Sequence, residues 1–198
     1  MTSKRDSAAP PGDLAGREVV VGICGGIAAY KVCAVVSALV QRGAGVTCVM
    51  TRSARRFVTP LTFEALSGRK VLTSLWRPDY AYDAQHIQLT DRADLFLIAP
   101  ATANIIAKTA CGIADDLLST LLTAVACPVI LAPAMNERMW ANPVVQANVE
   151  RLRGLGYTLI GPGEGWLACR SRGPGRMEEA DILVAAAAER LAALPPRT

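Results

Sequence analysis

A chain of 198 residues with 52% hydrophobic side chains can form one compact domain with a substantial core, and a net charge of +4 is too small and dispersed for nucleic-acid binding. Six scattered cysteines (Cys24, Cys33, Cys48, Cys111, Cys127, Cys169) with no CxxC pair and no signal peptide point to the reducing cytoplasm, with most thiols serving as small core hydrophobes. A single histidine, no clustered cysteines and no carboxylate pair at ligand spacing exclude a recognisable metal centre, and the lack of a GxSxG elbow weighs against a hydrolase.

Residues 1–16, MTSKRDSAAPPGDLAG, combine Ser, Pro, Gly and charge with almost no large apolar side chain. Their expected state is a flexible tail, with the folded domain at 17–194 and a short tail at 195–198. The run VVVGIC is apolar on both faces, as in a strand of a covered parallel sheet. Gly22, Gly25 and Gly26, followed by IAAYK, let the backbone pass close to a ligand and turn into a helix over 28–42 whose amino end favours phosphate. Such a turn can also exist only to reverse the chain.

GVTCVM is the second strand. Beyond it, Thr51 and Ser53 offer hydroxyls, while Arg52, Arg55 and Arg56 offer charge suited to a phosphate. Helix capping by Ser53 with solvated arginines is the plainer account. A short helix over 60–66 follows. His86, in DAQHIQLTDRAD, is the one side chain able to titrate near neutrality unperturbed, although a lone histidine is often incidental.

ADLFLIAP is the third strand, and APATANIIAK sets Thr102 and Asn104 where a helix begins. Capping accounts for one of them; together they also make an edge for a planar heterocycle. A helix over 115–126 leads into the strand CPVILAPA. The apolar run 117–135 reaches membrane length only across Ser119, Thr120, Thr123 and two prolines, so no membrane span is expected. LAPAMNERMW puts Asn136 at the mouth of that strand, as a helix cap or as a ligand amide.

A helix over 143–155 and the weaker strand YTLIG precede GEGWLACRSRGPGRM, which reads as too irregular for strand or helix and so as a binding or lid loop. Cys169 lies in it beside Arg170 and Arg172, with Arg176 beyond, cations that would lower a thiol pKa and attract an anion. An Ala-rich amphipathic helix over 177–194 closes the chain. Alternating strands and helices imply a single α/β domain with a doubly wound parallel sheet, whose strand-end loops gather on one face.

Taken together, GICGGIAAYK, MTRSARRFVTPLTFEALSG, His86, APATANIIAKTACGIADDLLSTLL, LAPAMNERMWANPVVQANVERLRGLGY and LACRSRGPGRM closely resemble the flavin-containing cysteine decarboxylases, from about Arg17 to the end of the last helix. The resemblance implies a flavodoxin-like, Rossmann-like fold that binds FMN. It implies a homotrimer, or a homododecamer built from trimers, with active sites between protomers. It also implies FMN-dependent decarboxylation of (R)-4'-phosphopantothenoyl-L-cysteine to 4'-phosphopantetheine in coenzyme A biosynthesis, through a thioaldehyde and an enethiol.

Carried over by motif, His86 serves the oxidative half-reaction and Cys169 donates a proton to the enethiol. Asn136 binds the substrate carboxylate, with Ala134, Met135, Ala168, Arg176 and Met177 beside the substrate. Gly25, Gly26, Ile27, Thr51, Ser53, Thr102, Ala103 and Asn104 contact FMN.

The flap reads CRSRGPGRM where relatives often carry Gly-Asp after the cysteine, so that arginines, Arg170 and Arg172, replace small and acidic groups, which leaves substrate choice open. Many bacterial relatives are fused to a phosphopantothenate-cysteine ligase domain, so a separate ligase is expected here. Peptidyl-cysteine decarboxylases of lantibiotic maturation lack the flap cysteine, FMN-binding regulatory subunits carry long acidic extensions, and flavin prenyltransferases lack the PAMN segment combined with that cysteine.

Overall fold

The structure is a computed structural model that describes residues 12–76, 85–168 and 170–195. Five strands, β1 (Glu18–Ile23), β2 (Gly45–Met50), β3 (Leu95–Ala101), β4 (Val129–Pro133) and β5 (Thr158–Leu159), pair in parallel in the order β2-β1-β3-β4-β5. This is the flavodoxin-like order, with its switch point between β1 and β3. Every residue of β3 and β4 is buried, which is why both read as unbroken apolar runs.

Alternate residues of β1 feed two cores. Val19, Val21 and Ile23 pack with α1 (Val32–Gln41), α2 (Pro60–Ser67) and α8 (Ala180–Ala192). Val20 packs on the other face with α4 (Ala103–Cys111), α5 (Leu117–Ala124) and α7 (Pro143–Gly154). α3 (Gln85–Arg92) lies against α5, and the short α6 (Glu137–Trp140) follows β4. Gly22 lets α5 come close: a Cβ there would stand 2.6 Å from Ile98 Cδ1 and 2.7 Å from Leu118 Cδ1. Among the described residues, no helix is long and apolar enough to cross a membrane.

Local chemistry sets the helix ends. Asp116 and Ser119 form a reciprocal capping box, so α5 starts two residues later than the periodicity predicted. The helix expected over 28–42 divides into a 3-10 turn, Ile27–Lys31, and α1. The last helix begins at Ala180, with Glu179 as its N-cap, rather than at residue 177.

Two expectations change. GEGWLACRSRGPGRM is not irregular throughout: β6 (Gly163–Trp166) and β7 (Arg172–Arg176) pair as an antiparallel hairpin. Its glycines hid the alternating pattern of a strand. Residues 12–16, placed with the flexible tail, are anchored through one side chain: Leu14 is 3% exposed in the first core, and its N–H donates to the Arg42 carbonyl at 2.9 Å, while Asp13, Ala15 and Gly16 are exposed. Leu14→Ala should lower stability by about 2 kcal/mol in urea or thermal denaturation. An unchanged midpoint would mean that this segment contributes nothing.

Candidate active site

The carboxyl ends of β1 to β4 and the β6–β7 hairpin enclose one cavity of about 920 Å³. In the loop after β1, Gly25 and Gly26 are glycines for different reasons. A Cβ on Gly25 would collide with the Ser53 side chain and backbone, so this glycine lets the loops after β1 and β2 touch. Gly26 has extended backbone, φ −148, and a Cβ would find its nearest neighbours, Pro100 and Thr102, at 3.8 Å. Neither strain nor packing requires glycine there, and its bare Cα leaves a surface open to a bound group. Ile27 completes this wall.

After β2, the cap expected of Ser53 is made by Thr51, whose Oγ1 accepts from the Ala54 N–H at 3.2 Å. Ser53 stands at the N-cap of the following 3-10 turn, Ala54–Arg56, without using its side chain for the cap. Thr51, Arg52 and Ser53 line the cavity, whereas Arg55 and Arg56 are exposed away from it.

After β3, Thr102 caps α4 by accepting from the Ile105 N–H at 3.4 Å, and Ala103 and Asn104 form the first turn at the cavity. First-turn N–H groups have no intrahelical acceptor and favour anionic or carbonyl oxygens.

After β4, Ala134, Met135 and Asn136 reach the cavity. Asn136 Oδ1 accepts from the Arg138 N–H at 2.8 Å and caps α6, so the capping account of this residue holds alongside its place in the cavity. The hairpin docks on this loop through glycines. The Met135 N–H donates to the Gly175 carbonyl at 2.9 Å, and a Cβ on Gly175 or Gly173 would collide with Met135 or Glu137. That docking brings Ala168, Arg176 and Met177 to the cavity.

Every residue that the resemblance placed in the site, and whose side chain is described, therefore lines this cavity, whereas Arg55, Arg56, Arg170 and Arg172 do not. His86 stands in the first turn of α3, with its side chain outside the described part, and Cys169 lies outside the described residues. Arg170 has φ 63, a left-handed conformation that glycine adopts at little cost. This is where the resemblance led one to expect Gly.

Sequence reasoning missed Lys31, Lys108, Asp116, Met139 and Trp166 as lining residues. Only Lys108 had a local signal, one helical turn beyond Asn104 on the same face. Lys31 contacts Glu179 at 3.3 Å, and Arg176 shares the same Glu179 oxygen. Lys108 contacts Asp115 at 2.6 Å and Asp116 at 3.3 Å. Burial opposes the charge on Lys108, but the two carboxylates outweigh it and hold its pKa above the usual range.

A doubly wound sheet with a cavity at its switch point is the architecture of a mononucleotide-binding α/β protein. The chain belongs to the flavoprotein family, whose family model matches residues 7–192. It is 50% identical over 171 residues to the coenzyme A biosynthesis bifunctional protein CoaBC of Bacillus subtilis, a match covering 86% of this chain and 42% of the relative. Against the protein of the same name from Mycolicibacterium smegmatis it is 45% identical over 182 residues, covering 90% and 44%. The chain thus spans less than half the length of these relatives.

Among solved structures, the FMN-dependent cysteine decarboxylase SpaF superposes with a TM-score of 0.79 at 35% identity, over 90% of this chain and 97% of that one. A PPC decarboxylase mutant complexed with pantothenoylaminoethenethiol gives 0.76 at 30% identity, over 86% and 96%.

Burial pushes the Cys24 thiol, on the cavity floor, and the Cys48 thiol up to about 12. Iodoacetamide at pH 8 should label exposed Cys111 in the native protein and spare Cys24 and Cys48 until denaturant is added, as read by peptide mass spectrometry. Early labelling of Cys24 would contradict its burial. Unfolded thiols ionise near 9 and these two only near 12, so the unfolded state releases its protons first. Each thiol should therefore cost up to about 1.4 kcal/mol of stability per pH unit as pH rises above 9.

Proposed function

We propose that this domain binds FMN and decarboxylates (R)-4'-phosphopantothenoyl-L-cysteine to 4'-phosphopantetheine in coenzyme A biosynthesis. The observation that carries this reading is the convergence of four strand-end loops and a docked hairpin on one cavity of about 920 Å³. That volume is near the upper end of the roughly 300–1,000 Å³ usual for small-ligand sites, room for a nucleotide with a substrate beside it.

The residues present fit a flavin nucleotide. Gly26 leaves open surface, the Ser53 hydroxyl is not used for the cap, and the amino end of α4 offers N–H groups. Gly25, Gly26, Ile27, Thr51 and Ser53 would hold the phosphate end, and Thr102, Ala103 and Asn104 the polar part of the ring system. Bound FMN would supply the redox chemistry, taking two electrons from the substrate's cysteine moiety and later returning them, so that the net change is loss of carbon dioxide.

The protein's own residues orient the substrate, exclude water and move protons. Asn136 donates its amide N–H to the substrate carboxylate. A neutral amide binds that group without the full charge attraction that would hold back its departure. Ala134, Met135, Ala168 and Met177 wall the substrate, and Arg176 adds positive charge for its phosphate. His86 acts as the base of the oxidative half, and Cys169 protonates the enethiol so that its reduction can be completed.

Ile27, Tyr30, Met139 and Trp166 at the cavity are 58%, 58%, 48% and 68% exposed, an apolar rim that the next protomer of a homotrimer, or of a homododecamer built from trimers, would cover. A phosphopantothenate-cysteine ligase is the expected functional partner, and the cytoplasm the expected setting.

Purified protein should be yellow and should convert phosphopantothenoylcysteine, but not a cysteine-ended peptide, to the decarboxylated and reduced product by mass spectrometry. A colourless protein that cannot be reconstituted with FMN would sink the reading, and turnover of the peptide alone would transfer it to peptide maturation. Cys169→Ser should release carbon dioxide and accumulate the enethiol. For His86→Asn, flavin binding should persist while turnover falls at least about 100-fold; near-normal turnover would remove His86 from the chemistry.

A further inference from the structure

Lys108 and Asp116 line the cavity, yet the reading above gives them no task. Lys108 exposes only 16% of its side chain and is held between Asp115 at 2.6 Å and Asp116 at 3.3 Å. Asp116 Oδ1 is committed to the α5 cap, accepting from the Ser119 N–H at 2.8 Å, while Oδ2 faces the ammonium. Lys108 and Asp116 balance each other at the cavity wall, and Asp115, which is more exposed and does not line the cavity, gives the three-residue cluster a net charge of about −1.

The loop after β2 has the opposite character. Arg52 lines the cavity with no ion pair among the described residues, beside the Ser53 hydroxyl that the cap does not use. Lys31 and Arg176 also line the cavity, where they share the Glu179 carboxylate, so the loop after β2 differs in charge from the Lys108–Asp116 wall.

We infer that the Lys108–Asp116 pair sets the direction in which FMN lies, by repelling the phosphate and holding an uncharged hydrogen-bonding part of the cofactor. The inference rests on the proposed FMN binding. A carboxylate accepts from a neutral N–H or O–H while the adjacent ammonium donates to a carbonyl or hydroxyl oxygen, so one ion pair serves a donor and an acceptor side by side. The N3–H and C2=O edge of the flavin ring has that pattern, and so do adjacent ribityl hydroxyls. A phosphate dianion beside the same cluster would meet net negative charge. It is left to Arg52, Ser53 and the glycine loop.

The test is a fluorescence titration of apoprotein with FMN, riboflavin and 3-methylriboflavin. Asp116→Ser preserves an N-cap oxygen for α5 but is too short to reach the cofactor. It should weaken FMN and riboflavin by the same factor, about tenfold. Asp116→Asn, which keeps both cap and acceptor, should recover most of that affinity, and melting curves would show that both variants are folded. Arg52→Ala combined with Ser53→Ala should weaken FMN and leave riboflavin unchanged.

If wild type binds 3-methylriboflavin about tenfold more weakly than riboflavin and Asp116→Ser does not discriminate, the ring edge is the group held. Equal binding of the two by wild type assigns a ribityl hydroxyl. Loss of FMN affinity alone in Asp116→Ser, or of neither affinity, would overturn the inference while leaving FMN binding intact. Wild-type protein that binds no flavin would overturn both.

Discussion

Burial of the central sheet on both faces is the constraint on which the rest of the molecule depends. β3 and β4 have no exposed residue, so neither strand can present a polar side chain along its length without leaving it unsatisfied in the core. Polar chemistry is confined to the strand ends. Because the chain winds outward in both directions from β1, the loops after β1 and β3 part at the switch point and leave a crevice between them. The position of the cavity is thus a consequence of sheet order, and the residues that line it come from distant segments for the same reason.

Glycines then join those segments into one wall. Gly25 brings the loop after β1 against Ser53, and Gly173 and Gly175 bring the hairpin against Glu137 and Met135. At Gly25 and Gly175 an added methyl group would run into backbone, whereas at Gly173 it would displace the end of the Glu137 side chain. Gly26 is the exception, since the protein itself could accommodate a side chain there. The contrast separates glycines that build the cavity from one that keeps it open.

The ion pairs around the cavity orient side chains more than they stabilise the fold. Glu179 exposes 51% of its side chain and Asp115 58%, and pairs as exposed as these contribute about 0–1 kcal/mol. Their effect is geometric. Glu179 draws Lys31 from the first loop and Arg176 from the hairpin to one point, and Asp115 and Asp116 hold Lys108 against the cavity. Among the described residues Arg52 is the cation of the cavity lining that makes no ion pair, so charge is distributed unevenly around it.

Strand positions, the doubly wound order and the polar loops were legible in the sequence, because apolar runs and strand-to-helix punctuation are local signals. So were the motifs whose resemblance indicated a flavin site. The hairpin was not legible, since its strands consist largely of glycine, proline and arginine and are held by contacts with Met135 and Glu137 that are remote in the chain. Leu14 looked like part of a polar tail until α1 supplied a surface to bury it. Thr51 and Ser53 were equally good caps by composition, and only the backbone path gave the cap to Thr51. Chain order and residue type thus determined what could be buried and where polar groups had to collect. Which of those groups meet, and which remain turned to the cavity, depended on long-range packing that no local window contains.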